Sequence, residues 1–350
     1  MDVADRLGGY LKRVGVGPTM SKDLSREQAR DAMAICLRRE ASDIRIGAFL
    51  LAARLKRETD DENRGFLDAL RGAATIAEAP VPALVDLADP YDGAARHPPL
   101  GVFVAATLGA AGLPAVVHGV PEMGPKRGVT HEQVVAALGL SVDLSPSQAA
   151  ARLATHGWAY LSARHSQPAL HALDGIRDEI CKRPALATLE KLVLPIRAAG
   201  SGGATHAVVG YVHKGYERLL RTLHREGGTA SALVVKGPEG HTDLRVTRPT
   251  KATLFRPGGA DEEASLDPAA AGIHATAEPK LDHQGPREIA ALGLAALQGE
   301  PGPAAEAVVW TAGAILWSAG IAPALAEGVL RAQEALASGD ASHALRRSRE

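Results

Sequence analysis

From Ala83 onward the chain alternates short apolar runs with helix-patterned stretches, and this alternation constrains the fold more than any other feature. The runs lie in ALVDLA, PAVVHG, THAVVGYV and ASALVVKGPEG. GVFVAATLGAAG, HEQVVAALGL and YERLLRTLHREGG are patterned as helices. Strands separated by helices predict a largely parallel sheet with helices laid over it.

Ahead of that region, Ser25 to about Gly72 reads as helix throughout. Ser25 and Gln28 form a capping-box pair before ARDAMAICLRRE, IRIGAFLLAARLKRE follows, and TDDENRGFLDALRGA places acids in its first turn, where the helix dipole favours them. The segment SQPALHALDGIRDEICKRPALATLEKLVLPIRAAG is helical again. The expected fold is therefore α/β, with a small helical domain and a large α/β domain built on a central, mainly parallel sheet. The helical domain takes residues 1–78 joined by helices from about 166–198, and the α/β domain takes 79–165 and 199–350. Residues 257–279 are expected as a surface loop. Gly200–Ala204 reads as a hinge, with a phosphate cradle as the alternative, and two apolar helices from 304–339 should pack on the sheet. The tail HALRRSRE is expected to fray.

With 350 residues, 46% of them hydrophobic, the chain can bury a sizeable core. A formal net charge of −1 excludes a globally basic nucleic-acid coat and leaves only a local basic groove open. No run approaches the roughly 18–20 apolar residues of a membrane span, and MDVADRLGGYLKRVG lacks the apolar centre of a secretory signal. A cytoplasmic location is the expectation. Cys36 and Cys181 make neither a metal quartet nor a disulfide framework, and both are expected as buried thiols.

The stretch Val85–Gly101 has the layout of a phosphate-binding strand, turn and helix, but its turn lacks glycines. Glycines let backbone N–H groups approach a diphosphate and adopt positive φ. Asp89, Pro90 and Tyr91 stand there instead: a negative charge, a missing donor and bulk. Only Asp92 and Gly93 suit such a turn, which could equally do no more than start a helix at His97–Pro98.

The order LSREQARDAM, AFLLAARLKRET, VVHG, HEQVVAALGLSVDLSPSQAAARL, ATHAVVGYV, ALVVKGPEG and AILWSAGIAPALAEGVLRAQEAL resembles the anthranilate phosphoribosyltransferases, the glycosyltransferase family 3 fold. The resemblance implies a donor turn, GTGGD, at Ala88–Asp92, and a following Asn-Ile-Ser-Thr at Pro98–Gly101. It also implies a KHGNRS-type loop in which His118 and Gly119 match while Val120-Pro121 depart. The family's Asp-Glu pair for Mg²⁺ corresponds to His241-Thr242-Asp243, where one carboxylate is gone and the other shortened. Its acceptor-binding arginine corresponds to Arg177, and Ala185–Leu192 replaces the segment lining that site. Asp92, Gly93, His118 and Gly119 are thus the remnant of a donor site.

Joint departure of these motifs is similar to the YbiB-type nucleic-acid-binding paralogues, whose turn Tyr91–Arg96 approximates. That likeness implies a non-catalytic, homodimeric protein binding single- or double-stranded nucleic acid without sequence preference in a basic interdomain cleft. The N-terminal helices would form the dimer. Arg96, Lys126, Arg127, Arg164, Arg177, Lys182, Arg183 and Lys191 would meet phosphates, against acids at Asp174, Asp178 and Glu179 in the same segment. No catalytic residue, metal or cofactor is expected under that reading. The alternative is a phosphoribosyltransferase using phosphoribosyl diphosphate, Mg²⁺ and an aromatic acceptor. A third possibility is a paralogue that binds only a small phosphorylated metabolite.

Overall fold

The computed structural model describes residues 2–17, 19–200, 202–256 and 258–348. The chain divides into two compact units, one of residues 1–75, 123–127 and 163–195, the other of 76–122, 128–162 and 196–350. The loop Met123–Arg127 thus belongs with the helical unit, whereas the sequence placed it inside 79–165.

The first unit begins with α1 (Val3–Val14), α2 (Arg26–Leu37), α3 (Asp43–Lys56) and α4 (Asp60–Ala73). The capping box is present: the Ser25 hydroxyl accepts the Gln28 N–H, and the Gln28 carbonyl accepts the Ser25 N–H at 3.2 Å. A second box joins Thr59 to Glu62. Glu62 is buried, accepts the Leu24 N–H and pairs with Lys56 at 2.8 Å. Helix α1 lay outside the helical reading because Gly8-Gly9 weaken its local propensity; burial of Leu7 and Val14 supplies what propensity lacks. Between Ala163 and Leu192 the backbone forms only short helical turns, interrupted at Pro168 and Pro184. Cys36 is buried, but Cys181 is exposed, contrary to expectation, in a left-handed residue (φ 50°) just after a helix end.

In the second unit β1 (Ala77–Ala79) and β5 (Ile196–Ala198) form a separate parallel pair. The main sheet contains β2 (Ala83–Ala88), β3 (Ala115–Gly119), β4 (Trp158–Ser162), β6 (Ala204–Gly210), β7 (Ser231–Val235), β8 (Thr250–Phe255) and β9 (Glu262–Leu266). Their spatial order is β4-β3-β2-β6-β7-β8-β9; the first five are mutually parallel, and β8 pairs antiparallel with both β7 and β9. Strands β3, β4 and β7 are buried at every residue, as a sheet covered on both faces requires.

The covering helices are α5 (Gly101–Ala110), α6 (His131–Ala137), α7 (Pro146–His156), α8 (Tyr216–Glu226), α9 (Pro286–Leu297), α10 (Pro303–Ser318), α11 (Leu325–Ala337) and α12 (Asp340–Arg347). The mixed helix-and-sheet architecture is the one expected. Helix α5 is buried all round and begins at Gly101 rather than at His97–Pro98.

Two local expectations fail. Within 257–279, Glu262–Leu266 pairs with β8 as an edge strand, and its exposed acids, which suggested a loop, suit an edge facing water. Pro257 lies outside the described residues. The tail forms α12, held by buried Ala341, Ala344 and Leu345; Arg349 and Glu350 lie outside the described residues. Ser201, within the Gly200–Ala204 segment, does so too. Among the described residues no helix is long and apolar enough to cross a membrane.

Strand β2 is followed by α5 and β3 on one side, while its neighbour β6 is followed by α8 and β7 on the other. The strand order therefore reverses between β2 and β6, and the crevice at their carboxyl ends is where an open α/β sheet binds ligands.

Candidate active site

The turn after β2 is fastened to the segment leading into α6. The Gly128 N–H donates to the Asp92 carbonyl at 2.9 Å, and Ala94 and Val129 exchange both backbone hydrogen bonds at 2.8 Å. Gly93 has φ 74°, and a Cβ there would lie 2.5 Å from the Gly128 carbonyl oxygen, so glycine is required. Behind the turn, Tyr91, His118 and Asp86 form a buried chain. His118 Nε2 lies 3.0 Å from Asp86 Oδ1 and its Nδ1 2.7 Å from the Tyr91 hydroxyl. Tyr91 and His118, which the sequence placed in separate motifs, thus form one buried network.

The next turn of chain presents three consecutive backbone donors. The N–H groups of Ala95, Arg96 and His97 all point to the Glu239 carboxylate, with distances to Oε2 of 3.2, 2.8 and 3.0 Å. Such a row of amides is an anion-binding concavity, and hydrogen bonds to a charged acceptor contribute about 1.5–3 kcal/mol each. Glu239 is itself left-handed, with φ 53°, which costs a non-glycine residue about 1–3 kcal/mol.

Asp89 reaches the other way. Its Oδ1 accepts the Thr242 N–H at 2.6 Å and lies 3.6 Å from His241 Nδ1, while Oδ2 lies 3.4 Å from His131 Nε2. His97 Nε2 stands 3.9 Å from Asp243 Oδ2. All six residues are buried. Burial alone would raise the Asp89 carboxyl, but His241, His131 and the Thr242 N–H together hold it well below its ordinary range. Burial, reinforced by the Asp89 charge, pushes Asp243 up to about 7. Burial lowers His97 and His131 each to about 4.

These shifts set a pH response. Each histidine, depressed in the folded state, contributes stability above about pH 6.5 that is lost as pH falls toward 4. Asp243, raised to about 7, works oppositely: its contribution is full below about pH 3.8 and is lost as pH rises through 7. Two protons taken up by the unfolded chain outweigh one held by the fold, so this cluster destabilises the protein between pH 7 and 4. Asp243→Asn removes the opposing group. Melting curves across that range should show a steeper loss for the variant, and a variant gaining relative stability at pH 8.

The carboxylates do not suit a protein-held Mg²⁺. That ion takes one or two carboxylate oxygens together with water and substrate phosphate. The Asp243 side chain has no exposed surface, and Asp89 is enclosed, its Oδ1 accepting the Thr242 N–H. Among the described residues no group of three or more His, Cys, Asp or Glu is arranged to hold a metal ion.

Of the eight basic residues expected to form one strip, only Arg96 lies in this unit, its side chain 84% exposed with Nε 3.9 Å from Glu239 Oε1. Lys126, Arg127, Arg164, Arg177, Lys182, Arg183 and Lys191 belong to the helical unit. There Arg177 is buried and paired with Glu190 at 2.7 Å, Lys191 is buried, and Arg127 is bound to Asp178 at 2.5 Å. Lys182 and Arg183 are exposed and Arg164 is half-buried. Asp92 and Gly93 lie in the turn after β2, and His118 and Gly119 end β3; all four are buried.

Residues 9–74 match the helical bundle domain of a glycosyl transferase family, and residues 100–342 match its a/b domain. The chain belongs to this glycosyl transferase family. Its relatives include the anthranilate phosphoribosyltransferase of Methylorubrum extorquens, 31% identical over 326 residues covering 93% of each chain, and that of Geobacillus kaustophilus, 31% identical over 94% of each. The anthranilate phosphoribosyltransferase of Thermus thermophilus superposes with a TM-score of 0.79 at 25% identity, covering 100% of this chain and 98% of that one. The Saccharomyces cerevisiae enzyme, solved with PRPP and Mg, shares the fold at 15% identity, with a TM-score of 0.77 and coverage of 98% and 96%.

These likenesses overturn the expectation of a non-catalytic nucleic-acid binder, because the relatives that match along nearly the whole chain are anthranilate phosphoribosyltransferases. They lend no support to the YbiB-type subtype. The physical reason is on the same residues: Arg177 and Lys191 point inward and Arg127 is neutralised, so the supposed strip loses charge where it was meant to be strongest.

Proposed function

We propose that this protein is a phosphoribosyltransferase taking phosphoribosyl diphosphate as donor and an aromatic amine as acceptor. The observation that carries the reading is identity of 31% to an anthranilate phosphoribosyltransferase along 93% of both chains. The amides of Ala95, Arg96 and His97 near the strand-order reversal support it, since such donors favour an anion. In this transfer the acceptor nitrogen bonds to the ribosyl carbon as the carbon–oxygen bond to diphosphate breaks. The leaving diphosphate keeps the electron pair, and the acceptor nitrogen loses a proton. The protein's part is to hold and orient the anionic leaving group. Mg²⁺ belongs to this reading as the companion of the donor's diphosphate.

The reading includes a cytoplasmic homodimer. Exposed Val16, Met20, Ile44 and Leu55 in the helical unit support association there. The test is incubation with phosphoribosyl diphosphate, Mg²⁺ and anthranilate, followed by acceptor fluorescence and chromatography of the product. Donor-dependent consumption of anthranilate is expected, with a high KM for donor because Asp89, Pro90 and Tyr91 replace glycines. No donor-dependent consumption of anthranilate or of related aromatic amines would end the proposal.

A further inference from the structure

Two loops at the carboxyl edge of the sheet bind each other through their own carboxylates. Asp89, on the loop after β2, accepts the Thr242 N–H of the loop after β7. Glu239, on the loop after β7, accepts the Ala95, Arg96 and His97 N–H groups of the loop after β2. The exchange is reciprocal and each carboxylate sits on backbone donors, as a bound anion would.

We propose that Glu239 is a built-in occupant of an anion site formed by the Ala95, Arg96 and His97 amides, displaced when a phosphate or diphosphate group binds. Three features support a displaceable occupant. Glu239 is held in a left-handed conformation that a glutamate adopts at a cost, so leaving the site relieves strain. The amides belong to a rim at which Ala95 and Arg96 are exposed, so a ligand can approach them from water. The Arg96 guanidinium is 84% exposed beside Glu239 and is free to follow an incoming anion. Asp89 differs: it is fully enclosed and tied to His131, His241 and Thr242. It keeps the loops joined while Glu239 opens.

A ligand that must displace an internal carboxylate binds more weakly than the bare site allows, by the fraction of time the site stands open. The inference deepens the proposed function, which supplies the natural anion, but its test does not use turnover. Inorganic pyrophosphate without divalent metal is titrated calorimetrically into the wild-type protein and into Glu239→Ala. The variant should bind at least tenfold more tightly. The amide ¹⁵N–¹H signals of Ala95, Arg96 and His97 should shift on binding. Glu239→Gln, which keeps shape and loses charge, is read in the same way should the alanine variant melt early. Equal or weaker binding by a folded variant, or tighter binding without shifts at those three amides, overturns the proposal. Gained pyrophosphate binding in a protein that transfers nothing would uphold the occupant and defeat the phosphoribosyltransferase reading. Transfer activity with unchanged pyrophosphate binding would do the reverse.

Discussion

Replacing Arg177 with methionine is expected to lower the unfolding free energy by about 3–5 kcal/mol, the range for removing one partner of a buried ion pair. Arg177 is 3% exposed, and its guanidinium meets both Glu190 oxygens, at 2.7 and 3.3 Å. Without it the Glu190 carboxylate, 1% exposed, stays inside the helical unit facing a thioether. A buried carboxylate that loses its bidentate partner is costly because burial keeps water from taking that partner's place. The double change Arg177→Met with Glu190→Met should recover part of the loss, since it removes both members of the bidentate pair, while Asp174, 3.9 Å from the guanidinium, loses that cation but keeps His171 at 2.6 Å. Denaturant unfolding of the two singles and the double measures the coupling. A single variant within about 1 kcal/mol of wild type would show that the pair is not the buried strut described here.

The second large effect is expected at Gly210, the last residue of β6. An added Cβ would lie 2.1 Å from the His241 carbonyl oxygen and 2.2 Å from that of Gly240. Both obstacles are backbone, so a side-chain rotation cannot relieve them. Gly210→Ala must therefore push away the loop that carries Glu239, Thr242 and Asp243. A cost of about 3 kcal/mol follows, read as a fall in Tm of roughly 6–12 °C for a unit of this size. Gly215→Ala, where nothing lies within 4 Å of the new methyl, serves as the control and should stay close to wild type. If the two variants melt together, the close approach at Gly210 is not limiting.

Much of the architecture was legible along the chain because it is written in local chemistry. Alternating apolar runs specified the parallel strands, and Ser25-x-x-Gln28 specified the start of α2 through bonds spanning three residues. Where local signals were weak, the reading failed for identifiable reasons. Helix α1 contains Gly8 and Gly9 yet forms because Leu7 and Val14 find a core. The strand β9 carries Glu262 and Glu263, which resemble a loop until β8 pairs with them. Arg177 and Lys191 looked like phosphate contacts because a sequence does not reveal which way a long cation points.

The candidate site divides along the same line. Residues flanking the turn after β2 were identifiable by type: Asp89, Pro90 and Tyr91 lack the backbone freedom and open donors of a glycine turn, and this follows from covalent structure alone. What these residues do instead was decided by tertiary structure. Glu239 is 142 to 144 positions from the amides it occupies, and Thr242 is 153 from Asp89. No periodicity or spacing rule reaches so far. Only the sheet, by setting β2 and β7 on either side of β6, brings the two loops together. The chain itself determined that the turn could not be an open glycine cradle; the fold determined that its donors would be filled by the protein's own carboxylate.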